Sequence, residues 1–289
     1  VVTIEYLTNP ALAAFFWPVA LTAVLVAILG GAVSWLVVVR RLSFIGQGIS
    51  HSAFGGVGLG LVLGLGASSP GARVAMLAMV LVFAVCSALL IAAIADRRTG
   101  NTDAAIGIVL SVAMACGFLL HHQASINAAR TGAFAPPSIE QVLFGSITTI
   151  GWHDFWIGAA LGSISLGLLA WRRHAVLFWM FDESAAEAFG VPTAPVRSLV
   201  LAVLAVIVVI TMKLAGVVLA TAVLVLPGAI ALRLSTRLSA VVLLSISFGL
   251  ACSLIGLVAA FEFDVQPGPT IVLTLAAAYV LARLLPAHA

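Results

Sequence analysis

Nine runs of 17 to 27 largely apolar residues leave this chain almost no material for a water-facing surface. They are Ala13–Val39, Leu42–Gly66, Ala72–Ala95, Ala104–Leu120, Phe155–Trp171, Val196–Met212, Leu214–Leu232, Ser239–Phe261 and Pro269–Leu285. A helix rising 1.5 Å per residue crosses the hydrocarbon core in roughly 20 apolar residues. Charge agrees with that reading. Only 8% of the 289 residues are Asp, Glu, Lys or Arg, where a soluble domain carries about a quarter, and mean hydropathy is +1.25. The expected fold is an all-α polytopic membrane protein of about nine transmembrane helices, or eight, in one transmembrane domain spanning residues 1–289. Its principal solvent is the lipid bilayer. The pI near 9.1 does not indicate a nucleic-acid partner, because the basic residues sit in short clusters between apolar runs. Cys86, Cys116 and Cys252 each lie inside such a run without CxxC spacing, against both a disulfide framework and a zinc knuckle.

The basic residues orient the chain. With the N-terminus outside, the cytoplasmic turns hold Arg40, Arg41, Arg97, Arg98, Arg172, Arg173, Arg197, Arg233, Arg237 and Arg283, and only Arg73, Arg130 and Lys213 fall outside. Ten against three satisfies the positive-inside rule and puts the C-terminus in the cytoplasm. The first run follows no basic segment, so it reads as a retained span rather than a cleaved signal. Between Ser198 and Leu232 the single charge is Lys213. That stretch is too long for one crossing and short for two full ones, so it reads as a tight hairpin turning near Lys213, with Pro227-Gly228 interrupting the returning arm.

Two segments between spans are long enough to matter. On the outside, 121–154 contains Pro136-Pro137 and an apolar patch, Ile139–Ile150, too short to cross and suited to a surface or re-entrant helix. On the cytoplasmic side, 172–195 carries Asp182, Glu183 and Glu187 among Ala185, Ala186, Ala188 and Phe189, then Gly190 and Pro192. Glycine and proline just past an alanine-rich turn are helix stop signals, so a short amphipathic helix is expected there.

Polar residues inside spans carry the functional information, since a charged one at the helix centre costs about 2.5–3.5 kcal/mol on insertion scales. The second run holds eight glycines between Gly46 and Gly66. Gly48, Ser52, Gly56, Gly60 and Gly64 recur every fourth residue and form a smooth ridge for close helix packing. Gln47 and His51 are also four apart and share an adjacent face. Counted from Leu42, His51 lies roughly 13 Å deep. It has two readings: a hydrogen bond across helices, or a neutral imidazole lining a cavity and touching a cation in transit. Thr102 and Asp103 read as helix N-caps rather than ligands, and His121-His122, at an outer helix end, as solvated interface residues ahead of a metal-collecting pair. Glu262 and Asp264 lie at the outer mouth, where paired carboxylates attract a cation, dock a partner, or merely solvate a turn.

The chain has no GxxxxGK[ST] phosphate loop, no HExxH and no GxSxG, which removes the common ATPase and hydrolase designs. An intramembrane enzyme is thereby disfavoured. A stand-alone ion-coupled secondary transporter remains as the alternative function.

Several segments together point to a family. Arg40-Arg41-Leu-Ser-Phe-Ile-Gly-Gln-Gly-Ile-Ser-His51-Ser-Ala-Phe-Gly-Gly resembles the second span of the permease subunits of zinc/manganese/iron ABC importers. Thr102-Asp-Ala-Ala-Ile-Gly-Ile, the segment of about 181–192, Lys213 to Ala229 and Asp264-Val-Gln-Pro-Gly-Pro-Thr-Ile-Val-Leu resemble later segments of the same family, in order. The layout is also similar to that of the vitamin B12 and siderophore permeases with the first span missing.

The resemblance implies a multi-pass permease of a bacterial-type cytoplasmic membrane, built as a type II ABC importer. A homodimer would enclose the path, with an ABC ATPase subunit below and an extracytoplasmic metal-binding protein above. It implies no permanently bound cofactor and no enzymatic activity in this chain. The cargo would be a divalent ion of manganese, zinc or iron. His51 and Gln47 fall where the family lines its path and binds metal. Members usually carry Asp at the position of Gln47, and the neutral amide is a poorer ligand for a hard cation. The site is then weaker, tuned to another metal, or completed elsewhere. Glu183, Ser184, Ala185, Ala186, Glu187 and Gly190 fall in the family's ATPase-coupling segment. Gly48, Gly56, Gly60 and Gly64 would supply a sliding surface, and Pro227-Gly228 a place to bend.

Overall fold

The computed structural model describes residues 9–65, 70–95, 102–131 and 151–284. Among these residues the chain forms eleven α-helices and no strand. They are α1 (Pro10–Val39), α2 (Ile45–Val62), α3 (Pro70–Ile94), α4 (Thr102–Thr131), α5 (Trp152–Trp171), α6 (Arg173–Phe181), α7 (Glu183–Ala188), α8 (Thr193–Ala215), α9 (Val217–Leu234), α10 (Leu238–Glu262) and α11 (Pro267–Leu284). Eight of them, all but α2, α6 and α7, are long and apolar enough to cross a membrane. The protein is an all-α multi-pass membrane protein. The predicted patch Ile139–Ile150 and the pair Arg97-Arg98 lie outside the described residues.

The chain divides into two compact units. The first contains the described residues of 1–43, 144–168 and 210–289. Its centre is α1, which packs on α9 and α10, while α9, α10 and α11 pack on one another. Between Phe16 and Val39 only Trp17 is exposed, as expected of a helix apolar all round. Small residues let the backbones meet, which is how helices associate where lipid removes the hydrophobic drive. A Cβ on Gly31 would sit 3.0 Å from the Ser245 carbonyl, and the Ser245 hydroxyl donates to the Gly31 carbonyl at 2.6 Å. Gly158 and Gly162 of α5 accept Leu214 and Leu29 in the same way. Lys213 Nζ donates to Asp154 Oδ1 at 2.8 Å, joining the end of α8 to the first turn of α5.

The second unit contains the described residues of 44–143 and 169–209. Here α2 packs on both α4 and α3, and α6 on α7. The buried stripe of α4, Ile106–Val109–Ala113–Gly117–His121–Ala124, follows helical spacing toward α2.

The helix ends differ instructively from those expected. α4 runs eleven residues past Leu120, because a polar stretch ends an apolar run without ending a helix; Ala124, Ala128 and Ala129 favour its continuation. The turn expected near Lys213 falls instead at Gly216, whose φ of +86° is open to glycine and strained for other residues. It is a one-residue break: the Gly216 amide donates to the Met212 carbonyl and the Ala220 amide to that of Gly216. Lys213 does not stop α8, since its long stem carries the ammonium to Asp154. Nor do Pro227 and Gly228 interrupt α9, which continues through both to Leu234. Segment 172–195 holds α6 as well as the expected short helix, with Val176, Trp179 and Met180 buried.

Candidate functional site

The glycines of α2 decide which of its faces stays open. A Cβ on Gly48 would meet Ile106 Cγ2 at 2.5 Å, and one on Gly58 the Gly117 carbonyl at 2.8 Å, so these residues admit α4. Gly56 would meet the Val80 Cα at 3.0 Å and Gly60 the Met76 Sδ at 2.5 Å, so these admit α3. The fourfold spacing therefore serves two neighbours rather than one, because residues four apart advance about 40° around a helix of 3.6 residues per turn. Gly64 is not part of the ridge. It lies beyond α2 with φ +79° and nothing within 4 Å of a Cβ. There the Leu65 amide donates back to the Gly60 carbonyl, closing the helix with a left-handed cap.

What remains uncovered carries Gln47, which is exposed, and His51, which is half-buried. They are one turn apart, about 6 Å along the axis. α2 begins at Ile45 rather than Leu42, so His51 lies about 9 Å along it. His51 Nδ1 is buried without a hydrogen-bond partner. The neighbouring Ser52 hydroxyl is engaged, donating to the Gly48 carbonyl at 2.7 Å. Ser50 Oγ, also buried, has no partner, and nothing in the sequence marked it out from the other serines. A buried polar atom without a partner is uncommon and asks for a ligand or water. Among the described residues no three His, Cys, Asp or Glu converge to hold a metal ion. One chain offers at this place an imidazole and a carboxamide.

The other expected sites have surroundings of their own. His121 is not at a helix end but within α4, buried and stacked on Phe54 with ring centroids 6.0 Å apart, while His122 is exposed. Asp103 lies in the first turn of α4, where its charge suits the helix dipole. Glu262 ends α10 and is half-buried. Asp264 is exposed with φ +52°, and the Val265 amide donates to the Ala260 carbonyl across it. Asp264 thus takes the left-handed capping position, which Asp tolerates better than most residues. The three cysteines are free.

The segment 181–192 is tightly terminated at both ends. Asp182 Oδ1 accepts from the Ala185 amide at 2.9 Å and the Ser184 hydroxyl at 2.8 Å, capping α7. These donors, the amide first, hold the Asp182 carboxyl below the usual carboxylate range. Gly190 takes φ +81°, the Val191 amide donates to the Ala186 carbonyl, and the Thr193 hydroxyl donates to Glu187 Oε1. That last bond ties α7 to the first turn of α8. Arg233, by contrast, caps α11 by donating to the Ala282 and Arg283 carbonyls.

Known proteins resemble this chain in sequence and in fold. The chain is 28% identical over 261 residues to the manganese import system permease protein ScaB of Streptococcus gordonii, covering 90% of this chain and 87% of that one. It is 27% identical over 282 residues to a probable iron transport system membrane protein of Haemophilus influenzae, covering 96% of each. Among solved structures, PsaBC from Streptococcus pneumoniae in complex with Fab superposes with a TM-score of 0.79 at 28% identity, covering 98% of this chain and 96% of that chain. The model of the ABC 3 transport family matches residues 13–285. The chain therefore belongs to the ABC 3 transport family.

Proposed function

We propose that this chain is the membrane-spanning permease of an ATP-driven importer of divalent transition metal ions, carrying manganese, zinc or iron. Two copies would enclose the path, a separate ABC ATPase chain would hydrolyse ATP, and an extracytoplasmic metal-binding protein would deliver the ion. The N-terminus would lie outside and segment 181–192 in the cytoplasm. Relatives named for manganese and iron transport support the class of cargo without selecting one metal.

The observation that carries the reading is the half-buried His51, its buried Nδ1 without a hydrogen-bond partner, one turn from the exposed Gln47 on α2. A neutral imidazole lone pair suits first-row divalent ions. The Gln47 carboxamide oxygen adds a weak second donor, and a second copy would double the set. Among the described residues no three His, Cys, Asp or Glu converge to hold a metal ion, and Gln47 is neutral, so ligation at His51 would be weak. Weak, neutral ligation permits release, which conduction requires. At the cytoplasmic face, the Glu187–Thr193 bond would pass a displacement of α7 into α8. A stand-alone secondary transporter would have no use for that element.

The test is uptake by proteoliposomes holding the complete transporter. His51→Ala is expected to abolish metal uptake while subunit stoichiometry and ATP hydrolysis persist. Uptake at the wild-type rate would remove the role given to His51.

A further inference from the structure

One face of α5 is built for lipid. Trp152, Trp156, Ile164 and Trp171 are exposed, Trp171 at 74%. At 3.6 residues per turn these four lie within about 120° of one another. The buried Gly158, Gly162 and Ser165 lie on the opposite side, where Leu214 and Leu29 meet the two glycines. The helix has 20 residues, about 30 Å at 1.5 Å each, which matches the hydrocarbon core. A tryptophan thus stands at each membrane interface, the level that indole rings prefer.

The turn that follows Trp171 is basic. Arg172, Arg173 and His174 are all exposed. Arg172 Cζ lies 4.9 Å from the centre of the Trp171 ring, a cation–π contact that orients the guanidinium. Arg173 Nε donates to His174 Nε2 at 3.4 Å, which engages neither Nη group. Among the described residues neither arginine has a carboxylate partner. The turn is anchored by α6, whose Val176, Trp179 and Met180 are buried. We infer that Trp171, Arg172 and Arg173 form a binding site for the headgroup of an anionic phospholipid. The indole sets the depth, the guanidiniums take the phosphate, and the acyl chains lie along the Trp156–Ile164–Trp171 face. Guanidinium geometry matches phosphate oxygens, and arginines at a membrane surface draw in anionic lipid. A zwitterionic lipid offers the same phosphate but brings a cation that competes with the arginines. The site holds whatever the protein carries.

Native mass spectrometry of the full-length chain in neutral detergent, titrated with dioleoyl phosphatidylglycerol, reads the binding stepwise. Arg172→Gln and Arg173→Gln are each expected to weaken the first step about fivefold, and together about 25-fold. Trp171→Leu should weaken it about two- to fivefold. Dioleoyl phosphatidylcholine should bind wild type no better than phosphatidylglycerol binds the double variant. Arg237→Gln removes an exposed arginine elsewhere and should leave binding unchanged. If it loses as much as Arg172→Gln, net charge alone attracts the lipid and the site is overturned. Equal binding of the two lipids overturns it as well. Displacement of phosphatidylglycerol by an equal concentration of glycerol phosphate would assign the arginines to a soluble phosphate. A double variant that keeps its lipid affinity but loses a soluble partner protein would assign them to a protein interface. Either result overturns the proposal.

Discussion

Gly228 lets the close packing of α1 and α9 be tested with one methyl group. A Cβ built there would lie 2.5 Å from the Ser34 carbonyl carbon, 2.5 Å from the Trp35 nitrogen and 2.7 Å from the Ser34 oxygen. Ordinary contact begins near 3.4 Å, so Gly228→Ala must push the helices apart locally by about 1 Å. All three atoms are backbone, so no rotamer change relieves the clash. Overpacking of this kind costs about 1–3 kcal/mol. The Gly228 amide also donates to Ser34 Oγ at 2.7 Å. A side-chain bond between membrane helices is worth about 0.6 kcal/mol on average and up to about 1.7. Better helix propensity of Ala returns up to about 1 kcal/mol. The expected net loss is about 1–4 kcal/mol.

Gly107→Ala supplies the contrast, because a Cβ there meets nothing within 4 Å. Only the propensity term applies, so that variant should be neutral or up to about 1 kcal/mol more stable. Reversible unfolding in mixed detergent micelles measures both. If the two variants unfold at the same denaturant fraction, the close approach of α1 and α9 is wrong. The contrast also separates two roles for Pro227-Gly228. A hinge would show altered transport at unchanged stability, whereas a packing contact loses stability first.

Two further outcomes follow from the site geometry. Gln47→Asp places a carboxylate one turn from His51 and should tighten manganese binding to the reconstituted transporter about tenfold or more while slowing turnover, since hard cations prefer anionic oxygen; unchanged affinity by equilibrium dialysis would show that Gln47 does not face the ion. Asp182, whose carboxyl is held below its usual range by the Ala185 amide and the Ser184 hydroxyl, should cap α7 fully above its unfolded value of about 3.9 and lose that contribution as pH falls through the lower folded value. Proteolysis of segment 181–192 should therefore accelerate only below about pH 4 in wild type. Asp182→Asn, which cannot titrate, should show no such step, and a step in both would assign it to another group.

Much of the architecture was legible because lipid imposes a length and a composition on whatever crosses it. Those constraints mark where a chain leaves the hydrocarbon, which need not be where its helix ends. Hence α4 continues through His121 and His122, and α8 through Lys213. The alanine-rich helix and its stops were readable from Gly190 and Pro192, because capping is local chemistry. α6 was not, since a nine-residue apolar helix too short to cross resembles the tail of the span before it. The left-handed cap at Asp264 was likewise hidden, since a sequence carries no φ angles.

The same reasoning explains why the candidate site sits on a long helix that is not among the candidate membrane spans. α2 falls outside the eight helices apolar enough to cross unaided, because Gln47, Ser50, His51, Ser52 and its glycines displace larger apolar side chains. Twelve of its 18 residues are nevertheless buried, against α3 and α4 on two sides. A helix clothed by protein has no need to match lipid, and so is free to carry polar groups. The glycines that lower its hydropathy are what allow its neighbours close enough to shield it. Low apolarity and glycine spacing are thus one feature seen twice, and on the proposed reading the face bearing His51 is where an ion would be met.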